Sequence, residues 1–126
     1  MITNFEEITA PLSKDEKELL LCVYDVIKEI NVKNPIKAPQ LIQRVKQITG
    51  KEKFPQARLR KIINFIRSNG LLPVIATSNG YYLSYEINEI LKEIKSLNER
   101  AEAIKYASDG LKIFLEKKEQ LTLMLD

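Results

Sequence analysis

The chain of 126 residues contains no histidine and a single cysteine, Cys22. Without histidine, the usual acid–base group near neutral pH and the commonest metal ligand are missing. A lone cysteine excludes an internal disulfide and a cysteine-rich zinc site. There is no Gly-rich phosphate loop, no paired-cysteine ligand set and no Ser–His arrangement. Glu89, Glu93, Glu99 and Glu102 fall on a helical face rich in Lys, the ordinary pattern of surface ion pairs. The expectation is a protein that is not an enzyme, with no cofactor, no metal and no small-molecule substrate. No apolar run approaches the ~20 residues of a membrane helix. Glu6 and Glu7 stand where a secretory signal would carry Lys or Arg. A reducing, cytoplasmic setting is expected, away from any membrane. Only four Gly and five Pro accompany 44% hydrophobic and 29% charged residues, which excludes collagen-like structure and wholesale disorder.

The net charge of +3 conceals an uneven distribution. Residues 1–30 carry three basic groups against seven acids. Residues 31–70 carry ten basic groups against Glu52 alone. Residues 71–126 carry seven basic groups against nine acids. Half of all Lys and Arg thus crowd the middle third, where they repel one another unless a polyanion relieves them. Nucleic acid is the expected polyanion.

Residues 1–12 read as an irregular lead. Ser13-Lys14-Asp15-Glu16 matches a capping box. Leu19, Leu20, Val23, Val26, Ile27 and Ile30 follow at the spacing of one helical face. A first helix is expected over 14–30, ended by Asn31 and Asn34-Pro35. Cys22 lies near its apolar face as a small packing residue. A second helix starts at Ala38-Pro39, turns Leu41, Ile42, Val45 and Ile48 inward, and stops at Gly50. Pro55 opens a third helix, which runs to Asn69 and stops at Gly70.

In the third helix Leu59, Ile62, Ile63 and Ile66 form one buried stripe. The opposite side holds Ala57, Arg60, Lys61, Asn64 and Ser68, with Arg58, Phe65 and Arg67 on the flanks. Arg pairs two ways with guanine and Asn with adenine, so this face suits a major groove. Leu72–Ala76 and Tyr81–Ser84 are short β-prone runs around Ser78-Asn79-Gly80, and Asn-Gly is a strong hairpin signal. Such a ribbon is not stable alone. Val74, Ile75, Tyr82 and Leu83 are expected to pack it against the helices. The tip, Thr77-Ser78-Asn79-Gly80, is polar and uncharged, so modest contacts are expected there.

The order of elements is that of a winged helix-turn-helix. Arg58-Leu59-Arg60, Ile66-Arg67-Ser68-Asn69-Gly70, Asn79-Gly80-Tyr81-Tyr82 and the trailing Glu86, Glu89, Ser96-Leu97 and Arg100 carry a resemblance. Over residues 13–105 the chain resembles the winged-helix DNA-binding modules common in phage and mobile-element proteins, including replication and regulatory ones. The resemblance implies a recognition helix over 55–69, with Arg60, Lys61 and Asn64 facing double-stranded DNA. Arg58 and Arg67 would brace the fold or meet phosphates. The full candidate DNA-binding set adds Gln56, Lys51, Lys53, Arg44 and the tip residue Asn79.

The expected fold class is mainly α with a small β-hairpin: a winged helix-turn-helix over 13–85, then a helical extension over 86–126. Ile87, Ile90, Ile94, Leu97, Ala101 and Ile104 make a heptad seam that continues through Ser108, Leu111 and Leu115 and fails at Lys118. Asp109-Gly110 is a candidate break in the helix near its middle. The seam either pairs with a second chain, giving a homodimer through residues 86–115, or folds back on its own domain. Two rival readings use no DNA: a protein-interaction adaptor and a purely structural oligomerisation protein.

Overall fold

Ser13 starts the first helix as its spacing predicts. Its Oγ accepts the Glu16 N–H at 3.2 Å, and the Glu16 carboxylate accepts the Ser13 N–H at 3.2 Å. These bonds occupy two backbone donors that a helix start otherwise leaves bare. The structure, a computed structural model, describes residues 11–125. Apart from Pro11 and Leu12, the expected irregular lead lies outside the described residues.

The helices are α1 (Lys14–Ile27), α2 (Ala38–Thr49) and α3 (Gln56–Ser68), followed by strands β1 (Val74–Thr77) and β2 (Gly80–Leu83) and the helix α4 (Ile87–Leu125). The chain divides into two units at the Glu86–Ile87 junction. Mainly helical architecture, one antiparallel hairpin and a long C-terminal helix agree with the expected fold class.

The core of the first unit joins Leu19, Leu20, Val23, Val26 and Ile27 of α1 to Leu41 and Val45 of α2 and to Leu59, Ile62, Ile63 and Ile66 of α3. Burying each such side chain contributes ~1.5–3 kcal/mol relative to leaving it in water. Phe54, in the α2–α3 loop, is also buried there, although a loop offers no periodicity to reveal it. Gly50 and Gly70 end α2 and α3 in the left-handed conformation, as expected.

Several boundaries differ from the sequence reading. α1 ends at Ile27, three residues early. The Glu29 and Ile30 N–H groups bond to Val26 and Ile27, which tightens the last turn and turns the Ile30 carbonyl toward β2. There it accepts the Leu83 N–H at 3.0 Å. Ile48 is not inward: it is 65% exposed, because it sits in the last turn of α2, beyond the fully buried Leu41 and Val45. The strands begin at Val74 and Gly80 and end before Ser84, which is buried and donates its N–H to the Pro73 carbonyl at 3.2 Å.

Register explains the hairpin's packing. Val74 opposes Leu83, and Ile75 opposes Tyr82. Successive residues of a strand face opposite ways. Val74 and Leu83 therefore enter the helical core, while Ile75 and Tyr82 are buried on the other face of the ribbon. The expectation that all four pack on the helices holds for one pair only.

The hairpin has a third lane that its local sequence does not announce. Ile36 bridges Tyr81 through reciprocal backbone bonds of 2.9 and 2.8 Å. Gly80, at φ +123°, lies so close to this lane that a Cβ would stand 2.5 Å from the Ile36 carbonyl oxygen.

In the second unit, α4 runs for 39 residues and buries none of them. It passes through Gly110 without the expected interruption. One Gly costs ~1 kcal/mol against Ala, less than the surrounding helix formers supply. A Lys105–Asp109 pair at 3.5 Å and a Tyr106 hydroxyl donating to Glu102 at 3.2 Å flank the position.

Candidate nucleic-acid interface

α3 places the candidate residues. At 100° per residue, its buried stripe turns Ala57, Arg60, Lys61, Asn64 and Ser68 outward, and all five are exposed. Gln56 and Arg58 are exposed at the N-terminal end of the same helix. The two flanks of this face are fastened to different elements.

On one flank, the Arg67 Nε donates to the Val74 carbonyl at 3.0 Å, tying α3 to β1. Arg67 thus braces the fold, one of the two roles expected of it. On the other flank, Lys61 pairs with Glu16 of α1 at 2.5 Å. Between them, Arg60 and Asn64 point outward without an ion pair or hydrogen bond to any described side chain.

Lys51 differs from the role first expected of it. Its Nζ lies 3.0 Å from Asp15 and 2.9 Å from Glu18, with the side chain only 22% exposed. It braces the α2–α3 loop against α1 instead of standing open to a partner. Lys53, in the same loop, is exposed, as is Arg44 on α2. Asn79 is exposed at the hairpin tip, where its N–H donates to the Thr77 Oγ1 at 3.1 Å. Eight of the ten candidates (Lys51, Lys53, Gln56, Arg58, Arg60, Lys61, Asn64 and Arg67) therefore sit on α3 or the loop before it, and Arg44 and Asn79 stand apart from them in sequence.

The sequence reading missed Asp15, Glu16 and Glu18 as partners of the basic segment. The signal was present, since the acidic first 30 residues precede the basic middle third, and opposite charge draws such segments together. The hydrogen bond and charge of Lys51 lower the Asp15 pKa. The hydrogen bond from Lys61, then that from the Ser13 N–H, lowers the Glu16 pKa. Hydrogen bonds to Glu18 and Asp15 raise the Lys51 pKa. Burial raises the Cys22 thiol, with Asp25 adding to it, so the cysteine stays protonated as a packing residue.

These shifts give stability a pH dependence with a definite sign. A lowered carboxylate pKa stabilises the fold fully above the ordinary carboxylate range, and that contribution is lost as pH falls through the folded value. A raised lysine pKa stabilises fully below its ordinary 10.5 and is lost as pH rises beyond it. The unfolding temperature is expected to hold at neutral pH and to fall below about pH 4. Thermal unfolding across pH tests this. The double variant Asp15→Asn, Glu16→Gln should show a flatter acid limb, and an unchanged limb would remove the two carboxylates from the account.

Among the described residues, no helix is long and apolar enough to cross a membrane, and no group of three or more His, Cys, Asp or Glu could hold a metal ion. Comparison with known proteins finds no matching family, no matching curated protein and no matching solved structure.

Proposed function

We propose that the chain is a cytoplasmic double-stranded DNA-binding protein of winged-helix type, with α3 entering the major groove, and that it works as a homodimer through residues 86–115. The observation that carries the reading is the outward face of α3, where Arg60 and Asn64 stand without an internal partner between two fastened flanks. A face intended only for solvent needs no such bracing. Here the bracing keeps two base-reading side-chain types on one rigid helix, which is what direct readout requires. Arg44, Lys53 and Arg58 add exposed positive charge for phosphates.

The dimer is supported by α4. In proteins a helix draws most of its stability from a packed apolar face. α4 leaves Ile87, Ile94, Leu97, Ile104, Leu111 and Leu115 of the heptad seam exposed over an unbroken helix. A second copy covers that seam without requiring any other partner.

One experiment addresses both parts: affinity for random-sequence duplex as salt is varied, with molecular mass measured in parallel. Each phosphate contact steepens the log–log salt slope by about 0.9, so about four contacts lose roughly a hundredfold between 50 and 200 mM salt. The mass should be that of a dimer for the full chain and a monomer for a chain ending at Ser84. Salt-independent binding or none would favour the adaptor reading. A monomeric full chain would dismiss the pairing of α4.

A further inference from the structure

Lys61 and Arg60 are neighbours on α3 with different surroundings. Arg60 has no carboxylate partner among the described residues. The Lys61 Nζ lies 2.5 Å from Glu16 Oε2, with 59% of the lysine side chain exposed but only 13% of the glutamate's. The same carboxylate accepts the Ser13 N–H at 3.2 Å, so the capping box fixes it from the other side. The pair thus joins a stationary anion to a movable cation. Lys51 is held more firmly, between Asp15 and Glu18 and mostly covered.

The ion pair also sets where Lys61 can reach. Lys61 lies about 100° round α3 from Arg60, and the ion pair draws its ammonium toward Glu16 of α1. A cation at the rim of a groove-entering helix meets the sugar-phosphate backbone, whereas the centre of the face meets base edges. A carboxylate oxygen on a lysine resembles a phosphate oxygen in charge and hydrogen bonding.

We infer that Lys61 is a backbone-contacting residue, not a base reader, and that Glu16 holds the place of a DNA phosphate on it until a duplex displaces the carboxylate. This rests on the reading of α3 as the DNA-facing helix. Glu16 then limits affinity for every duplex alike and leaves the choice of sequence to Arg60 and Asn64. An exposed ion pair is weak enough to be exchanged in this way.

Glu16→Gln tests the exchange without dismantling α1, since Gln serves equally well at this position of a capping box. Affinity of the full chain would be measured for a random-sequence duplex and for the best duplex from a selection. Glu16→Gln is expected to tighten both by a similar factor, roughly two- to fivefold at 0.1 M salt. Lys61→Ala is expected to weaken both about equally and to flatten the salt slope by about one. In the Lys61→Ala background, Glu16→Gln should bring no gain. Glu29→Gln, the same charge change just past the far end of α1, should bring little.

Three results would overturn the inference while leaving the DNA reading intact. They are no gain from Glu16→Gln, a gain that survives Lys61→Ala, and a Lys61→Ala loss confined to one base position. A wild-type chain that binds no duplex would overturn the DNA reading itself.

Discussion

Gly80→Ala is expected to lower the unfolding temperature of the first unit by about 10 °C or more, the largest single effect foreseen for this chain. Two penalties act together. The backbone is at φ +123°, a conformation that L side chains rarely adopt. Holding a non-glycine residue there costs ~1–3 kcal/mol. The new Cβ would also stand 2.5 Å from the Ile36 oxygen, 2.6 Å from its carbonyl carbon and 3.0 Å from the Lys37 nitrogen. These are backbone atoms, which cannot step aside as the end of a flexible side chain can. The bridge between Ile36 and Tyr81 must open to admit the methyl group. Each kcal/mol shifts the midpoint of a domain of this size by about 4–8 °C. Thermal unfolding followed by circular dichroism reads the result. Ser78→Ala, at the exposed tip, is the control and should change little. A Gly80→Ala midpoint equal to wild type would mean that the hairpin does not lie against residue 36 as described.

The second large effect concerns the outward face of α3. Arg60→Ala and Asn64→Ala are each expected to weaken binding to the selected duplex by ~1–3 kcal/mol, roughly five- to 150-fold, and to relax preference at one base position. Neither side chain supports the fold, so the unfolding temperature should hold. That separation makes the test clean, because a loss of binding without a loss of stability locates the interface. Selection of bound sequences from random duplexes with each variant is the measurement. Unchanged affinity and unchanged sequence preference in both variants would take α3 out of the groove.

The sequence revealed the helices because their signals are local and redundant. Ser13 and Glu16 mark one start, Gly50 and Gly70 mark two ends, and the Leu59–Ile66 stripe fixes which side of α3 is hidden. That stripe also made the outward face legible, since burying one side of a helix exposes the other. What escaped was nonlocal. Nothing around Ile36 suggests a strand, because a single bridged residue has no alternation to display. Asn79-Gly80 announced a turn, but the reason for Gly80 lies in a backbone 44 positions earlier. Lys51 and Lys61 looked like open cations because their partners on α1 are distant in sequence. Spacing alone also overextended α1 and the buried face of α2. Ile30 and Ile48 keep the apolar period, yet α1 tightens before the first and the core ends before the second.

The bridge at Ile36 has a kinetic consequence. β1 and β2 meet across a two-residue turn, so their ladder can zip within microseconds once the turn forms. Fastening that ladder to Ile36 and Ile30 instead requires the chain to close loops of about 45 and 53 residues, spanning α2 and α3. The ribbon can therefore form fast, but, unstable alone, it persists only once moored to Ile36 and Ile30. Contacts of such long sequence separation are expected to form more slowly than the local zipping of the hairpin.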